Sequence, residues 1–109
     1  MSWDVWLITE VDGHEIRVGD EHINYTHNCN GMIRDAGFTE WPYAVEDWSA
    51  ARLADELDSA IRNLEADPKR YRAMDPPNGW GSYDSLLPVL RKVRDQCRTY
   101  PSTTVRMSA

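Results

Sequence analysis

Trp3-Asp4-Val5-Trp6-Leu7-Ile8-Thr9-Glu10-Val11-Asp12-Gly13-His14-Glu15-Ile16-Arg17-Val18 holds two alternating runs separated by an Asp-Gly pair. In the first run Trp3, Val5 and Leu7 fall on one face, and Asp4, Trp6, Ile8 and Glu10 on the other. A period of two in β-branched and aromatic residues predicts a strand. Asp-Gly is the dipeptide of tight hairpin turns, so His14–Val18 returns as a second strand with Ile16 and Val18 facing inward. Gly19-Asp20 predicts another turn, after which Ile23 and Tyr25 begin a third short strand.

Further along, Thr26 or Asn28 has the chemistry to cap a short helix that reaches Ala36 and stops at Gly37. Met32, Ile33 and Ala36 form its apolar stripe. An aromatic-rich connection from Phe38 to Tyr43 is broken at Trp41-Pro42. From about Asp47 to Ala66 the positions Ala50, Leu53, Ala54, Leu57, Ala60, Ile61 and Leu64 recur at helical spacing, with charged residues opposite. Asp67-Pro68 ends that helix and caps a further turn bearing Tyr71 and Met74. Leu86, Leu87, Leu90, Val93 and Cys97 make a second stripe. Because Pro88 suits only a first helical turn, the cap is expected at Asp84 or Ser85. Thr103, Val105 and Met107 alternate as a closing strand.

Two one-sided helices among strands predict a two-layer α+β fold. The N-terminal hairpin and the C-terminal strand form an antiparallel sheet, and the two main helices pack on one face. At 109 residues this is one domain spanning 1–109. Five Trp and five Tyr beside one Phe supply core area that a small chain otherwise lacks, and they also favour interfaces. They point to a homodimer.

A formal charge of -6 argues against general nucleic-acid binding, which rests on Lys and Arg neutralising phosphates. No apolar run is long enough for a membrane span, and the N-terminus lacks the pattern of a signal peptide. A cytoplasmic protein is expected, with Cys29 and Cys97 as buried free thiols. His22, His27 and Cys29 lie close in sequence, yet they lack the paired four-ligand spacing of a zinc site. Neither a nucleophile elbow nor an acid–base pair emerges. No catalytic residue, metal or cofactor is assigned.

Two polar-aromatic segments remain. Asn24-Tyr25-Thr26-His27-Asn28-Cys29-Asn30 sits where strand gives way to helix, and its bland role is turning and capping. Pro76-Pro77-Asn78-Gly79-Trp80-Gly81-Ser82-Tyr83 sets an indole between two glycines behind a rigid diproline. There the bland role is a Trp80 plug beneath the loop. The functional reading brings Tyr25, His27, Asn28, Asn78, Gly79, Trp80 and Tyr83 to one recognition surface, with the ring stacking and the carboxamides bonding.

The same segments carry a resemblance. The positions Asn24, Tyr25, Thr26, Asn28, Met32, Ala36, Gly37, Asn78, Gly79, Trp80, Gly81 and Tyr83, with the later Tyr100-Pro101 and Thr104-Val105-Arg106, resemble small uncharacterised proteins of actinobacteria and their bacteriophages. The resemblance implies a cytoplasmic setting, the host cytoplasm where the gene is phage-borne, and no particular chemistry. The leading expectation is a non-catalytic binding protein acting on a host protein. One alternative is an anti-defence protein that sequesters a small, polar, nucleotide-like signal. Another is a small enzyme on a nucleotide or sugar-like substrate with His27 as base.

Overall fold

The Asp12-Gly13 turn adopts positive φ at both residues, 51° and 81°, in the computed structural model of the chain. That is the geometry whose twist matches flanking strands. It joins β1 (Ser2–Val11) to β2 (His14–Thr26). The structure describes the backbone of residues 1–109 and all side chains except those of residues 20 and 21. β3 (Thr104–Ser108) pairs antiparallel with β1, giving the order β2-β1-β3. The expected α+β architecture is therefore present, with β1 at its centre.

The hairpin differs from expectation in two places. Gly19-Asp20 does not end a strand, and β2 runs on through Ile23 and Tyr25 without a third strand forming. Four residues of β2, 19 to 22, instead face the single Trp6 of β1, between the pairs Leu7↔Val18 and Val5↔Ile23. An insertion of this kind keeps the ladder intact on both sides and bends the strand between them. The second difference is Ile16, which lies on the inward side yet is 47% exposed. Residues 9 to 17 are all exposed, so the hairpin end outruns the helix layer that would cover it.

After β2 the hydroxyl of Thr26 accepts from Asn28 N and starts a 3-10 turn, His27–Cys29. It leads into α1 (Asn30–Asp35), which ends at Ala36 and Gly37, the latter at φ 109°. The long helix α2 (Ala50–Ala66) begins at Ser49, whose hydroxyl accepts from Arg52 N. All seven stripe residues read from the sequence are buried there. α3 (Pro68–Arg72) buries Tyr71 and leaves Met74 beyond its end, exposed.

α4 (Tyr83–Thr99) starts earlier than expected, at Ser82 rather than Asp84 or Ser85. Ser82 and Ser85 form a reciprocal capping box, which outcompetes a later cap because it satisfies two backbone donors at once. Pro88 is consequently the sixth helical residue, and the carbonyl of exposed Asp84 forgoes its usual helical donor. Burial works against the Asp58 carboxylate on α2, but Arg62, Arg98 and Arg94 outweigh it and hold its pKa below the ordinary value. Arg94 and Arg98 both reach it from α4, at 3.1 Å.

Between sheet and helices lies one apolar cluster that includes Trp3, Val5, Leu7, Leu53, Leu57 and Leu90. Leu57 is fully buried within it. Truncation to Ala is expected to cost about 2–5 kcal/mol, read from denaturant unfolding. A loss below about 0.5 kcal/mol, the size of a surface change, would show that the stripe faces elsewhere.

Candidate functional site

The two polar-aromatic segments meet. Asn28 Nδ2 donates to Trp80 O at 3.2 Å, across 52 residues of sequence. The Tyr25 hydroxyl lies 2.6 Å from Ser85 Oγ, accepts from Ser82 N at 3.2 Å, and reaches Ser82 O at 3.3 Å. Gly81 explains why the approach can be so close. A Cβ there would stand 2.7 Å from Thr26 Cγ2, 3.0 Å from Cys29 Sγ and 3.1 Å from the Tyr25 hydroxyl. Gly81 also holds φ at 89°, a conformation that disfavours any side chain.

Within its loop, Asn78 Oδ1 accepts from Trp80 N at 2.9 Å, an Asx turn that shapes the chain just before the indole. Gly79 has φ 76°, and open space surrounds the place of a Cβ. The backbone on either side of Trp80 is therefore held, by Asn78 on one side and by Asn28 and the Gly81 contact on the other. The ring itself is 69% exposed. It does not plug the core beneath the loop.

Tyr83 points the other way. Its ring is buried, stacked on Tyr71 at 6.4 Å, and its hydroxyl donates to Leu64 O at 2.8 Å. It supports the loop from beneath and does not share a surface with Trp80. Tyr25 is half-buried, and burial raises its pKa although the Ser85 and Ser82 bonds pull it down. Nε2 of His27 is enclosed by protein without a hydrogen-bond partner. The structure thus brings together Tyr25, Asn28, Asn78, Gly79 and Trp80, with Asn28 and Asn78 bonded to the Trp80 backbone.

The start of α4 is already occupied. Asp75 Oδ1 accepts from Tyr83 N at 2.7 Å, and Ser82 Oγ accepts from Ser85 N at 3.1 Å. A carboxylate seated on a helix N-terminus takes the place an anionic ligand would need. An open trench of about 550 Å³ lies instead near the other end of α4, between Pro88 and Tyr100, with Arg91, Lys92 and Asp95 on its wall.

Sequence reading missed the outer face of the sheet. There Arg17 lies 4.9 Å over the Trp6 ring and contacts His22 Nδ1 at 3.3 Å, while His22 Nε2 lies 3.3 Å from Asp4. Arg106 on β3 reaches Glu15 on β2, and their line passes over buried Ile8 on the central strand. The alternation of polar residues showed a wet face, but only the β2 insertion brings His22 beside Trp6. Among the described residues no group of three His, Cys, Asp or Glu side chains is placed to hold a metal ion. No described helix is long and apolar enough to cross a membrane.

Cys29 and Cys97 are free thiols, both buried. Burial pushes Cys97 from 9.0 up to about 12, and it raises Cys29, Tyr25 and Tyr71 as well. The folded protein then keeps protons that the unfolded chain releases, so stability falls as pH rises from about 9 toward about 12. The stability gap between wild type and Cys97→Ala should narrow over that range in urea titrations. A gap unchanged between about pH 8 and pH 11 would remove Cys97 as a cause.

No family model matches this sequence, and no curated protein or solved structure matches it either.

Proposed function

We propose that the protein is a non-catalytic binding module that engages a protein partner through the Trp80 loop. One observation carries the reading: an indole 69% exposed on a loop whose backbone is fastened from behind. A large ring held out in water gains apolar burial only when something covers it, and a braced loop loses little entropy when that happens. Trp is also the side chain most enriched among residues that dominate protein interfaces. Gly79, with open space where a Cβ would stand, lets a partner approach the loop backbone closely, while Gly81 fastens the loop to the body.

The small-ligand alternative needs a pocket lined by carboxamides, whereas Asn28 spends an amide N–H and Asn78 its carbonyl oxygen on the loop itself. An enzyme using His27 as base needs that imidazole across a cleft from substrate, and its Nε2 is enclosed. A protein partner in an actinobacterial host cytoplasm fits the resemblance noted for these motifs. The chain's acidic balance favours a partner with a basic or neutral contact surface.

Trp80→Ala supplies the test. Its stability should stay within about 0.5 kcal/mol of wild type, as for an exposed residue. A host protein retained by the immobilised wild type and identified by mass spectrometry should lose affinity roughly a hundredfold or more, as for a loss of about 3 kcal/mol at a dominant interface residue. Gly81→Ala should weaken the same partner by displacing the loop. Equal retention of that partner by wild type and Trp80→Ala would sink the assignment. So would a small molecule found by native mass spectrometry and released by Asn78→Ala.

A further inference from the structure

The two outer edges of the sheet are not treated alike. On β3 the edge is closed by residues 46–49: Asp47 N donates to Val105 O at 3.0 Å, Val105 N donates to Trp48 O at 2.8 Å, and Met107 N donates to Glu46. On β2, among the described residues, no main-chain bond from another element reaches the edge between His14 and Val18. Beyond Ile8 the sheet has only two strands, and residues 9 to 17 are all exposed. A bare two-stranded ribbon is marginally stable, and an open edge is a template for another strand. Val11 and Ile16, 52% and 47% exposed, add apolar surface to this arm.

The arm's register says which groups it offers. Val11 and His14 flank the two-residue turn and bond to each other, so alternate residues thereafter face outward. Glu15 and Arg17 present their N–H and C=O groups to solvent along the edge, while His14, Ile16 and Val18 direct theirs at β1. We infer that this edge pairs with the same edge of a second copy of the chain, antiparallel about a two-fold axis at Ile16. In that register Glu15 stands opposite the partner's Arg17, and the reverse pair follows by symmetry. About four backbone bonds form, and the two Ile16 side chains meet on the axis.

Charge selects both the occupant and the register. An axis at residue 15 sets Glu15 against itself, and an axis at 17 sets Arg17 against itself; like charges directly opposite are unfavourable. Only the axis at 16 makes every outward residue complementary. The committed bonds leave room for this. Arg106 engages one oxygen of Glu15, and Arg17 contacts His22 through one of its terminal nitrogens. A foreign strand could use the same backbone groups but has no reason to repeat this reciprocal pattern.

A cysteine on the axis tests the register. In this register the two Ile16 residues form a non-hydrogen-bonded pair, the closer kind, whose Cβ atoms stand at the short end of about 4.5–5.5 Å, where a disulfide can close. Ile16→Cys should convert under mild oxidation to a covalent dimer, while Val11→Cys and Glu15→Cys, which have no matching partner position, cross-link far more slowly. The native thiols are buried and do not compete. In sedimentation the wild type should dimerise at high micromolar concentration. Arg17→Glu should raise the dissociation constant roughly tenfold or more with an unchanged far-UV spectrum, and adding Glu15→Arg should restore it. The proposal falls if the wild type is monomeric and Ile16→Cys cross-links no faster than Val11→Cys. It falls equally if a dimer forms that Arg17→Glu leaves intact, or if the edge is found filled by a different protein.

Discussion

Aromatic rings in series, joined at one end to a hydroxyl knot, tie the sheet, the connection between α1 and α2, and the long C-terminal helix together. Trp48 stacks on Phe38 at 5.7 Å, Phe38 meets Trp41 at 5.5 Å, Trp41 meets Trp3 edge-on at 5.0 Å, and Trp3 lies 6.0 Å from Tyr25. Such contacts add to the area each ring buries, which matters in a chain this small. The series ends where the Tyr25 hydroxyl enters the Ser82–Ser85 capping box. Polar satisfaction of a helix start and packing of the aromatic core are thus the same event. The path of the Trp80 loop follows from it, because Gly81 is pressed against the residues that make the knot.

β2 connects two regions with opposite properties. Its C-terminal end is locked to α4 through Tyr25, and it presents the Trp80 loop. Its N-terminal end leaves the body as a bare ribbon. The insertion at residues 19–22 separates the two ladders, so each keeps its own register with β1. Stability resides in the first region and in the packing of α2 on α4. The arm contributes exposed surface without core.

The parts of the fold legible in the sequence were those with a strict period or a single permissible turn. Seven stripe positions of α2 left one face for the core, and Asp12-Gly13 allowed little besides a hairpin. Ile16 was misread because alternation assigns a side but not the length of the layer behind it. Gly19 marks an irregularity in either case, and whether the chain turns or bulges there depends on Ile23 and Tyr25 finding partners across the sheet. Ser82, Asp84 and Ser85 all have capping chemistry, so the winner was decided by the mutual bond between two serines. In the candidate site, the convergence of the two segments was an expectation from their polar and aromatic chemistry. The contact of Asn28 with the Trp80 carbonyl depends instead on the close approach that Gly81 permits. The inward turn of Tyr83 was not legible, since it depends on α3 delivering Tyr71 and α2 delivering the Leu64 carbonyl.

The distribution of the five indoles has an optical consequence. Trp3, Trp41 and Trp48 are buried, and Trp6 is half-covered beneath a guanidinium. Trp80 alone among the five is freely exposed. Collisional quenchers dissolved in water therefore reach mainly one emitter in the folded chain, and that emitter sits on the loop proposed for recognition. The red edge of the emission reports loop occupancy, while the blue component reports the aromatic core. Coverage of the loop and unfolding of the body become separable signals in a single unlabelled sample.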